Sequence, residues 1–381
     1  MLRRGGAWAL AVSMVVAGPL GLAGAGGAET PLGHVVEVAH ADLAQQAQRA
    51  GVVLPGLALP AMDAQQGATL VAARWGATLQ AADLAALGAL PADLDAALGQ
   101  AFAAYLAMDA AARVHDVAGV LAARGALLDA ALVLDALRIG VPPLQVATPP
   151  ALALDLGGVD SAYPADLAFV LDFGGRDVYT NNAGGSRVLT GLEVDSCIAN
   201  FPPAAAALID LGSGDDAYVD GHGCGVNGGG VSGAGFLLDA GGNDHYVAVH
   251  DGTNGGGARL GLGFLLDAAG DDVYEAGGWG TNGGAYPGSM GSLLDGAGND
   301  LYLADLDGVN GGAREGIGFL HDLGGDDGYQ ARYAASANGG ASFGIGALID
   351  DGGHDWYAER DAFAWDASIM PKGDWGAQLD R

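Results

Sequence analysis

The chain has 381 residues, of which 50% are hydrophobic, so it can bury a sizeable core and form two structural regions. Its 45 Asp and Glu outnumber 15 Lys and Arg, and the formal net charge is -30. This charge excludes nucleic acid as an expected partner, because the phosphates of nucleic acid are also negative. Glu is scarce whereas Asp recurs at fixed positions, which favours ligand groups over a general adaptation to salt.

The N-terminus predicts a signal peptide over residues 1–28. Arg3 and Arg4 form its charged region, Ala7 to Leu22 its apolar region, and Ala23-Gly24-Ala25 or Gly26-Gly27-Ala28 its cleavage site. A retained anchor helix is the weaker alternative, because the apolar run is short and rich in glycine. No later segment holds ~20 uninterrupted apolar residues. We therefore expect a secreted or cell-surface protein with no transmembrane span in the mature chain.

Residues 29–147 predict a small α-helical domain. Leu94, Leu98 and Phe102 share one side of a helical stretch that Pro91 opens. A second helix is expected from about Ala126 to Leu137, where Gly140 and the following prolines prevent its continuation. We expect this region to act as a folded cap or spacer, because it contains no binding motif.

Residues 151–358 form a repeat of about 28 residues. The segments GFLLDAGGNDHY and GFLLDAAGDDVY begin at Gly235 and Gly263, and three columns of residues recur with this one period. The columns are Asp239, Asp267, Asp295, Asp322 and Asp350; Tyr246, Tyr274, Tyr302, Tyr329 and Tyr357; and Asn227, Asn254, Asn282, Asn310 and Asn338. Earlier copies, which begin at Asp155, Asp172 and Asp210, are less regular.

Self-similarity at a fixed period predicts a solenoid, in which each repeat buries its apolar face on its neighbours. The apolar runs of four or five residues are too short for helices and suit strands. The predicted fold is therefore mainly β, a right-handed parallel β-helix of ~28-residue coils preceded by the helical domain. A propeller would need longer repeats, and glycine is too dense for helical repeats.

The stacked coils would place aspartates above one another at ~4.8 Å. At ~5 Å two such charges repel by about 1 kcal/mol in water and by about 3 kcal/mol at an effective dielectric near 20. The repulsion must be offset by raised pKa values, by side chains that point into solvent, or by a bound cation. Calcium suits the position best, because it takes six to eight oxygen ligands.

The segment Gly296–Leu303, GAGNDLYL, resembles the calcium-binding nonapeptide of the RTX repeats, G-G-x-G-x-D-x-U-x, with Asp295 in place of the first glycine. The resemblance implies calcium held between successive turns by aspartate side chains. RTX nonapeptides run in tandem, whereas this chain has one copy per ~28 residues. Tight, solvated Asp-Gly turns without a metal are the alternative. The candidate metal ligands are Asp239, Asp244, Asp267, Asp272, Asp295, Asp300, Asp322, Asp327, Asp350 and Asp355.

The two cysteines, Cys197 and Cys224, are 27 residues apart, or one coil. Adjacent coils would bring them within disulfide range, and export would provide an oxidising compartment, so we expect them to form a disulfide. The histidines, which include His321, occupy different positions in the repeat. We therefore expect them to be scattered over the surface.

The tyrosine and asparagine columns each leave two interpretations open. The tyrosines either pack in the solenoid interior, which is favoured, or form a strip for stacking on sugars. The asparagines form either an internal amide ladder or a flat outward face that would bind a glycan or a crystal surface. Residues 359–381, with Trp365 and Trp375, are expected to cap the last coil and to block edge pairing.

These patterns favour a non-enzymatic, calcium-stabilised protein with a structural, adhesive or cell-envelope role, whose partner is an extracellular matrix, glycan or envelope component. A polysaccharide lyase or hydrolase on a parallel β-helix is the alternative. A catalytic groove should interrupt the repeat and collect basic residues, yet Arg259, Arg314 and Arg332 are sparse. The insertion between Asn181 and Glu193 is the one place for a groove wall.

Overall fold

A computed structural model describes residues 30–188, 204–219, 223–332, 336–359, 362–365, 369–372 and 376–380. The predicted signal peptide, Cys197, His222 and Trp375 lie outside the described residues. Pro31–Arg381 form one compact unit, in which five helices precede a parallel β-solenoid with a ~28-residue period. The helical region and the solenoid of the predicted fold class are confirmed. The division of the chain into residues 1–28, 29–147, 151–358 and 359–381 stays a prediction.

Five helices form the N-terminal region, and local caps fix where two of them begin. Asp63 Oδ1 accepts a hydrogen bond from the backbone N–H of Gln66 at 2.7 Å, as part of a capping box at the start of α2. Asp116 accepts from Gly119 N at 3.0 Å, so the last helix begins nine residues before its predicted start at Ala126. The helices are α1 (Pro31–Arg49), α2 (Ala64–Arg74), α3 (Ala81–Leu87), α4 (Ala92–Arg113) and α5 (Val117–Leu137).

Three sheets form the sides of the solenoid. Sheet A consists of β1 (Gln145–Thr148), β2 (Leu152–Asp155), β4 (Phe169–Asp172), β7 (Ala205–Asp210), β10 (Ala234–Asp239), β13 (Leu265–Asp267), β16 (Met290–Asp295), β19 (Ile317–Asp322), β22 (Ile345–Asp350), β25 (Ile369–Lys372) and β26 (Gly376–Asp380). Sheet B consists of β3 (Ala162–Tyr163), β5 (Val178–Tyr179), β8 (Ala217–Val219), β11 (His245–Ala248), β14 (Val273–Ala276), β17 (Leu301–Ala304), β20 (Gly328–Ala331), β23 (Trp356–Glu359) and β24 (Ala362–Trp365). Sheet C consists of β6 (Ser186–Arg187), β9 (Gly230–Val231), β12 (Gly257–Ala258), β15 (Ala285–Tyr286), β18 (Ala313–Arg314) and β21 (Ala341–Ser342).

Both faces of sheet A are buried, which explains its continuous apolar runs. Leu237 and Leu265 point to the solenoid interior and pack with the tyrosines. Phe236 and Phe264 belong to the core that the sheet shares with the helices. The helices therefore cover the outer face of sheet A, and they extend the solenoid core into a second layer.

Aromatic and polar contacts tie the helices to sheet A. The ring of Phe102 on α4 lies 4.9 Å from that of Phe169. Arg124 on α5 is fully buried and donates to the carbonyl oxygens of Gly235 and Leu262 at 2.9 and 2.6 Å. Helix α5 is long and apolar enough to cross a membrane, yet 56% of its most apolar window is buried in the protein. These contacts favour a core helix over a membrane span.

The tyrosines form a stack in the solenoid interior. Neighbouring ring centroids are 4.6 to 4.9 Å apart and the rings are within 6° of parallel. The stack contains Tyr163, Tyr179, Tyr218, Tyr246, Tyr274, Tyr302, Tyr329 and Tyr357, all of them buried. The interior interpretation is confirmed, and an outward strip for sugar stacking is wrong for these residues.

The asparagines form an internal amide ladder, which is the first of the two predicted alternatives. Asn254 Nδ2 donates to Asn282 Oδ1 at 3.0 Å, and Asn282 Nδ2 donates to Asn310 Oδ1 at the same distance. The ladder asparagines are 0% exposed, as are Thr253 and Thr281. The alternative of an outward face of these asparagines for a glycan or a crystal surface is therefore wrong.

Strands from outside the regular coils cover both ends of sheet A. At the N-terminal end β1, which begins inside the region predicted to be helical, pairs antiparallel with β2. At the C-terminal end β26 pairs with β22 in parallel, and β25 pairs antiparallel with β26. Strand β24 pairs antiparallel with β23 and extends sheet B. Strands β24, β25 and β26 thus extend the sheet edges at the last coil, where the sequence predicted a cap.

Candidate metal site

The turn between sheets A and B carries two buried rows of aspartates. The strand-end row contains the last residues of seven parallel sheet A strands, from β4 to β22, and the loop row contains the residues just before seven sheet B strands, from β5 to β23. The strand-end row is Asp172, Asp210, Asp239, Asp267, Asp295, Asp322 and Asp350. The loop row is Asp177, Asp216, Asp244, Asp272, Asp300, Asp327 and Asp355. Both rows are at most 3% exposed, so side chains that point into solvent do not relieve their repulsion.

Each strand-end aspartate accepts hydrogen bonds within the protein. Asp267 Oδ2 accepts from the hydroxyl of Tyr246 at 2.6 Å, and Asp295 Oδ2 accepts from Tyr274 at the same distance. The hydroxyls of Tyr163 and Tyr218 bond Asp172 and Asp239 in the same way. The tyrosine stack therefore fixes the strand-end carboxylates in position.

Six of the seven loop aspartates have one carboxylate oxygen that accepts a hydrogen bond and one that does not. The backbone N–H of Asp244 donates to Asp272 Oδ1 at 2.5 Å, and that of Asp272 donates to Asp300 Oδ1 at 2.6 Å. The second oxygens are buried and have no hydrogen-bond partner among the described residues. They are Oδ2 of Asp177, Asp216, Asp244, Asp272, Asp300 and Asp327. A buried, unpartnered carboxylate oxygen is costly, so this row needs a proton or a cation.

The two rows converge into groups of three carboxylates. In each group one oxygen from each residue lies within 4.8 Å of the others. These groups include Asp172, Asp177 and Asp210; Asp210, Asp216 and Asp239; Asp239, Asp244 and Asp267; Asp272, Asp295 and Asp300; and Asp300, Asp322 and Asp327. The structure thus brings eight of the ten candidate ligands together in these groups. Asp350 and Asp355 continue the rows in the last coil.

Burial and mutual repulsion disfavour the ionised carboxylates. Burial, followed by the charge of Asp295, raises the pKa of Asp272 to about 8. Burial, followed by the charge of Asp322, raises the pKa of Asp350 to about 8. The pKa values of Asp244 and Asp300 are raised in the same direction by the same two causes. Without a cation, the rows would hold many of their protons at neutral pH.

Glycines allow consecutive loops to approach closely at this turn. A Cβ on Gly270 would lie 1.5 Å from the carbonyl oxygen of Gly242, and a Cβ on Gly298 would lie 1.5 Å from that of Gly270. Both glycines have a positive φ, of 156° and 158°. Only glycine fits here, and the carboxylates and backbone carbonyls of the turn are the hard oxygen donors that calcium prefers.

The first coil shows how the chain satisfies such a carboxylate without a second aspartate. Ser161 takes the loop position, because its backbone N–H donates to Asp177 Oδ1 at 2.6 Å. Asp155, at the strand-end position, accepts from Gln145 Nε2 and Ser161 Oγ at 2.5 and 3.0 Å. The inner coils carry an aspartate where this coil has a serine donor.

A third row at the same turn is exposed and alternates between acid and amide. It contains Asp215, Asn243, Asp271, Asn299 and Asp326. Asn299 Nδ2 donates to Asp271 Oδ1 at 2.9 Å, so each amide separates two charges. The alternation removes adjacent like charges from this outer row. The two buried rows contain no asparagine, so their like charges remain adjacent.

The sequence analysis named Asp172 and Asp210 as the start of earlier copies, but it did not include them, or Asp177 and Asp216, among the candidate ligands. These four residues extend the rows into the less regular coils. A signal was present for the first pair. Asp172, Asp177 and Tyr179 have the same spacing as Asp239, Asp244 and Tyr246. In the next coil one extra residue separates Asp210 from Asp216, and it displaces the pattern.

Cys224 is buried beside Val231 and Ala258, and no free cysteine occurs among the described residues. Because Cys197 lies outside them, the pairing of the two cysteines stays a prediction.

His321 is not a surface residue, which corrects the expectation from its irregular position. It is 8% exposed and lies between Asp42 of α1 and Asp351, at 2.9 and 3.2 Å. Burial lowers its pKa, but the hydrogen bonds to Asp351 and Asp42 outweigh burial and raise the pKa to about 9. His245 and His354 are exposed, as predicted.

The arginines of the regular coils are paired with aspartates. Arg259 contacts Asp251 at 3.4 Å, Arg314 contacts Asp307 at 3.0 Å and Arg332 contacts Asp305 at 3.1 Å. In the insertion, Asn181 and Asn182 bond backbone carbonyls, and residues 189–193 lie outside the described part of the chain. The structure adds no observation that favours a catalytic groove.

The fold and the turn define this protein as a parallel β-solenoid with two buried rows of aspartates that could hold metal ions. No family model, curated protein or solved structure matches the chain. The resemblance to RTX repeats therefore depends on the loop sequence alone.

Proposed function

We propose that this protein is an exported, calcium-stabilised β-solenoid, with one file of divalent cations along the turn between sheets A and B. The observation that carries the proposal is the buried Oδ2 of each of six loop aspartates, which has no hydrogen-bond partner in the described structure. Each regular coil contributes one strand-end and one loop carboxylate. One divalent cation per coil would therefore balance the charge of both rows.

Calcium is the cation that the donors fit best. The groups offer three carboxylates each in a turn rich in glycine, and calcium accepts six to eight oxygens in flexible geometry. Magnesium demands a smaller, octahedral site and retains its waters. The five named groups contain no histidine or cysteine, so they lack the softer donors that zinc prefers.

A structural, adhesive or cell-envelope role outside the cell is the use that these features support. The predicted signal peptide implies export, and extracellular modules bind calcium at about 10⁻⁴ to 10⁻³ M. The partner would be a matrix, glycan or envelope component that contacts the solenoid surface. N-terminal sequencing of the protein from culture medium and cell-surface fractions tests export, because the mature chain should begin close to residue 29.

Thermal unfolding of the mature protein in excess EDTA, in calcium and in magnesium tests the metal. At a free calcium concentration about 100 times Kd, a single site adds about 2.7 kcal/mol to the free energy of unfolding. Several sites should therefore raise the Tm in calcium well above that in EDTA, and magnesium should do much less. An unchanged Tm in calcium would leave protonated carboxyls as the explanation of the rows and would overturn the proposal.

A further inference from the structure

Every Asn-Gly step in the sequence lies in the buried amide ladder. The five steps begin at Asn227, Asn254, Asn282, Asn310 and Asn338. All five asparagines are 0% exposed and have φ between 44° and 51°. This dipeptide is the one most prone to spontaneous deamidation, because glycine leaves its own nitrogen unhindered.

The hydrogen bonds of the ladder restrain both groups that react in deamidation, the glycine nitrogen and the asparagine side-chain amide. The glycine nitrogen attacks the Asn Cγ, the new N–Cγ bond forms, and the Cγ–Nδ2 bond breaks as ammonia leaves with the glycine proton. Water then opens the resulting succinimide to aspartate or isoaspartate, so water is the one co-reactant. In the ladder, Gly283 N donates to Asn254 O at 3.0 Å, and Asn282 Nδ2 donates to Asn310 Oδ1 at 3.0 Å. Both reacting groups are held in other hydrogen bonds while the coil is closed.

The C-terminal end of the ladder is held less firmly than its middle. Asn282 Nδ2 has three acceptors within 3.4 Å, whereas Asn338 Nδ2 has one acceptor among the described residues, Tyr329 O at 3.5 Å. The cover over Gly339 is β26, whose Ala377 carbonyl oxygen would lie 2.2 Å from a Cβ on this glycine. Strand β26 belongs to the terminal β25–β26 hairpin, so its release opens Asn338 without unwinding a full coil.

We propose that Asn338 is a gated deamidation site, at which release of the β25–β26 hairpin exposes the Asn338-Gly339 step and conversion of the amide makes the opening irreversible. The product aspartate would place a charge at a fully buried position and lose the Nδ2 donor. Isoaspartate would add a backbone atom where the chain turns with φ 44°. Either product disfavours closure of the last coil, so a modified chain stays open after the hairpin has been released.

Peptide mapping by mass spectrometry after incubation of the full mature protein at mildly alkaline pH tests this proposal. In the folded protein Asn338 should deamidate at least about tenfold faster than Asn282, because chain ends open at lower free energy than central elements. In denaturant the two steps should react at similar rates, because both lie in the same sequence, Asn-Gly-Gly-Ala. Equal rates in the folded protein would overturn the proposal, as would a rate at Asn338 that denaturation does not raise.

Hydrogen exchange of the variant Asn338→Asp supplies a second test that does not depend on the reaction itself. The amides of β26 should lose protection in this variant. Asn299→Asp is the matched control, because it adds the same charge to the exposed outer row and should leave β26 protected. Full protection of β26 in Asn338→Asp would show that the product does not hold the last coil open, and would refute the irreversible step.

Discussion

Replacement of Asp272 by Asn should stabilise the protein without calcium and destabilise it with calcium. Asp272 is 1% exposed and its pKa is raised to about 8 by burial and by Asp295, whereas an unfolded Asp ionises near 3.8. At neutral pH ionisation of this carboxyl lowers the free energy of the unfolded chain but not that of the folded chain. Asn cannot ionise, and its Oδ1 can still accept from the backbone N–H of Asp244.

The linkage relation gives the size and the sign of this effect. The folded pKa lies above the unfolded pKa, so stability falls as pH rises from about 4 toward 8 in the absence of a cation. From pH 4 to 7, at about 1.36 kcal/mol per pH unit, Asp272 lowers the free energy of unfolding by on the order of 4 kcal/mol. Asp272→Asn should recover a few kcal/mol in EDTA. In calcium it removes one charged ligand, and the same substitution should lower stability.

Urea unfolding in EDTA and in calcium, at about pH 5 and pH 7, measures both signs. Asp271→Asn is the matched control, because it changes the neighbouring residue in the exposed outer row and should alter stability by less than about 0.5 kcal/mol in every condition. Equal destabilisation by Asp272→Asn in EDTA and in calcium would show that its carboxylate acts as an ordinary hydrogen-bond acceptor. That result would refute both the raised pKa and the metal site.

Two further predictions concern the contacts around the rows. Tyr274→Phe should keep the ring stack but remove the 2.6 Å hydrogen bond to Asp295. In calcium, where the proposed cation keeps Asp295 ionised, the loss should reduce the free energy of unfolding in urea by about 1.5–3 kcal/mol. The half-buried Tyr286→Phe is the control, and equal effects of the two substitutions would contradict a specific role of the Tyr274 hydroxyl. His321 has a folded pKa of about 9 against 6.5 unfolded, so its contribution is full below pH 6.5 and is lost as pH rises through about 9. The stability difference between the wild type and His321→Gln should therefore shrink by up to about 3 kcal/mol across that range, and a pH-independent difference would contradict the His321 bridge between Asp42 and Asp351.

The repeat made the solenoid and most of the site predictable, because one period fixes the register of every column. Once coils stack, residues 28 apart must be neighbours, as Asp239 and Asp267 are. The period could not show that the strand-end and loop rows converge, since that depends on the shape of the turn. It also could not reveal the loop oxygens that lack hydrogen-bond partners, which carry the metal proposal.

Contacts between the helices and the solenoid were beyond the sequence, because no period links the two regions. His321 takes the column position of Leu294, where the other coils have apolar residues. Its partner Asp42 lies 279 residues earlier in the chain. Only the packing of α1 on the solenoid shows that the buried histidine at this position has a hydrogen-bond partner.

The five stacked rows solve the problem of like neighbours in different ways, and the difference bears on function. Tyrosines stack face to face, and asparagines each donate to and accept from the next, so identical residues suit both rows. The exposed outer row has a charge problem, which alternation of Asp with Asn relieves. The strand-end and loop rows have the most severe charge problem because they are buried, yet each remains aspartate in coil after coil. The outer row shows that Asn is compatible with this turn, so uninterrupted buried aspartate is best explained by a bound cation that needs both carboxylates.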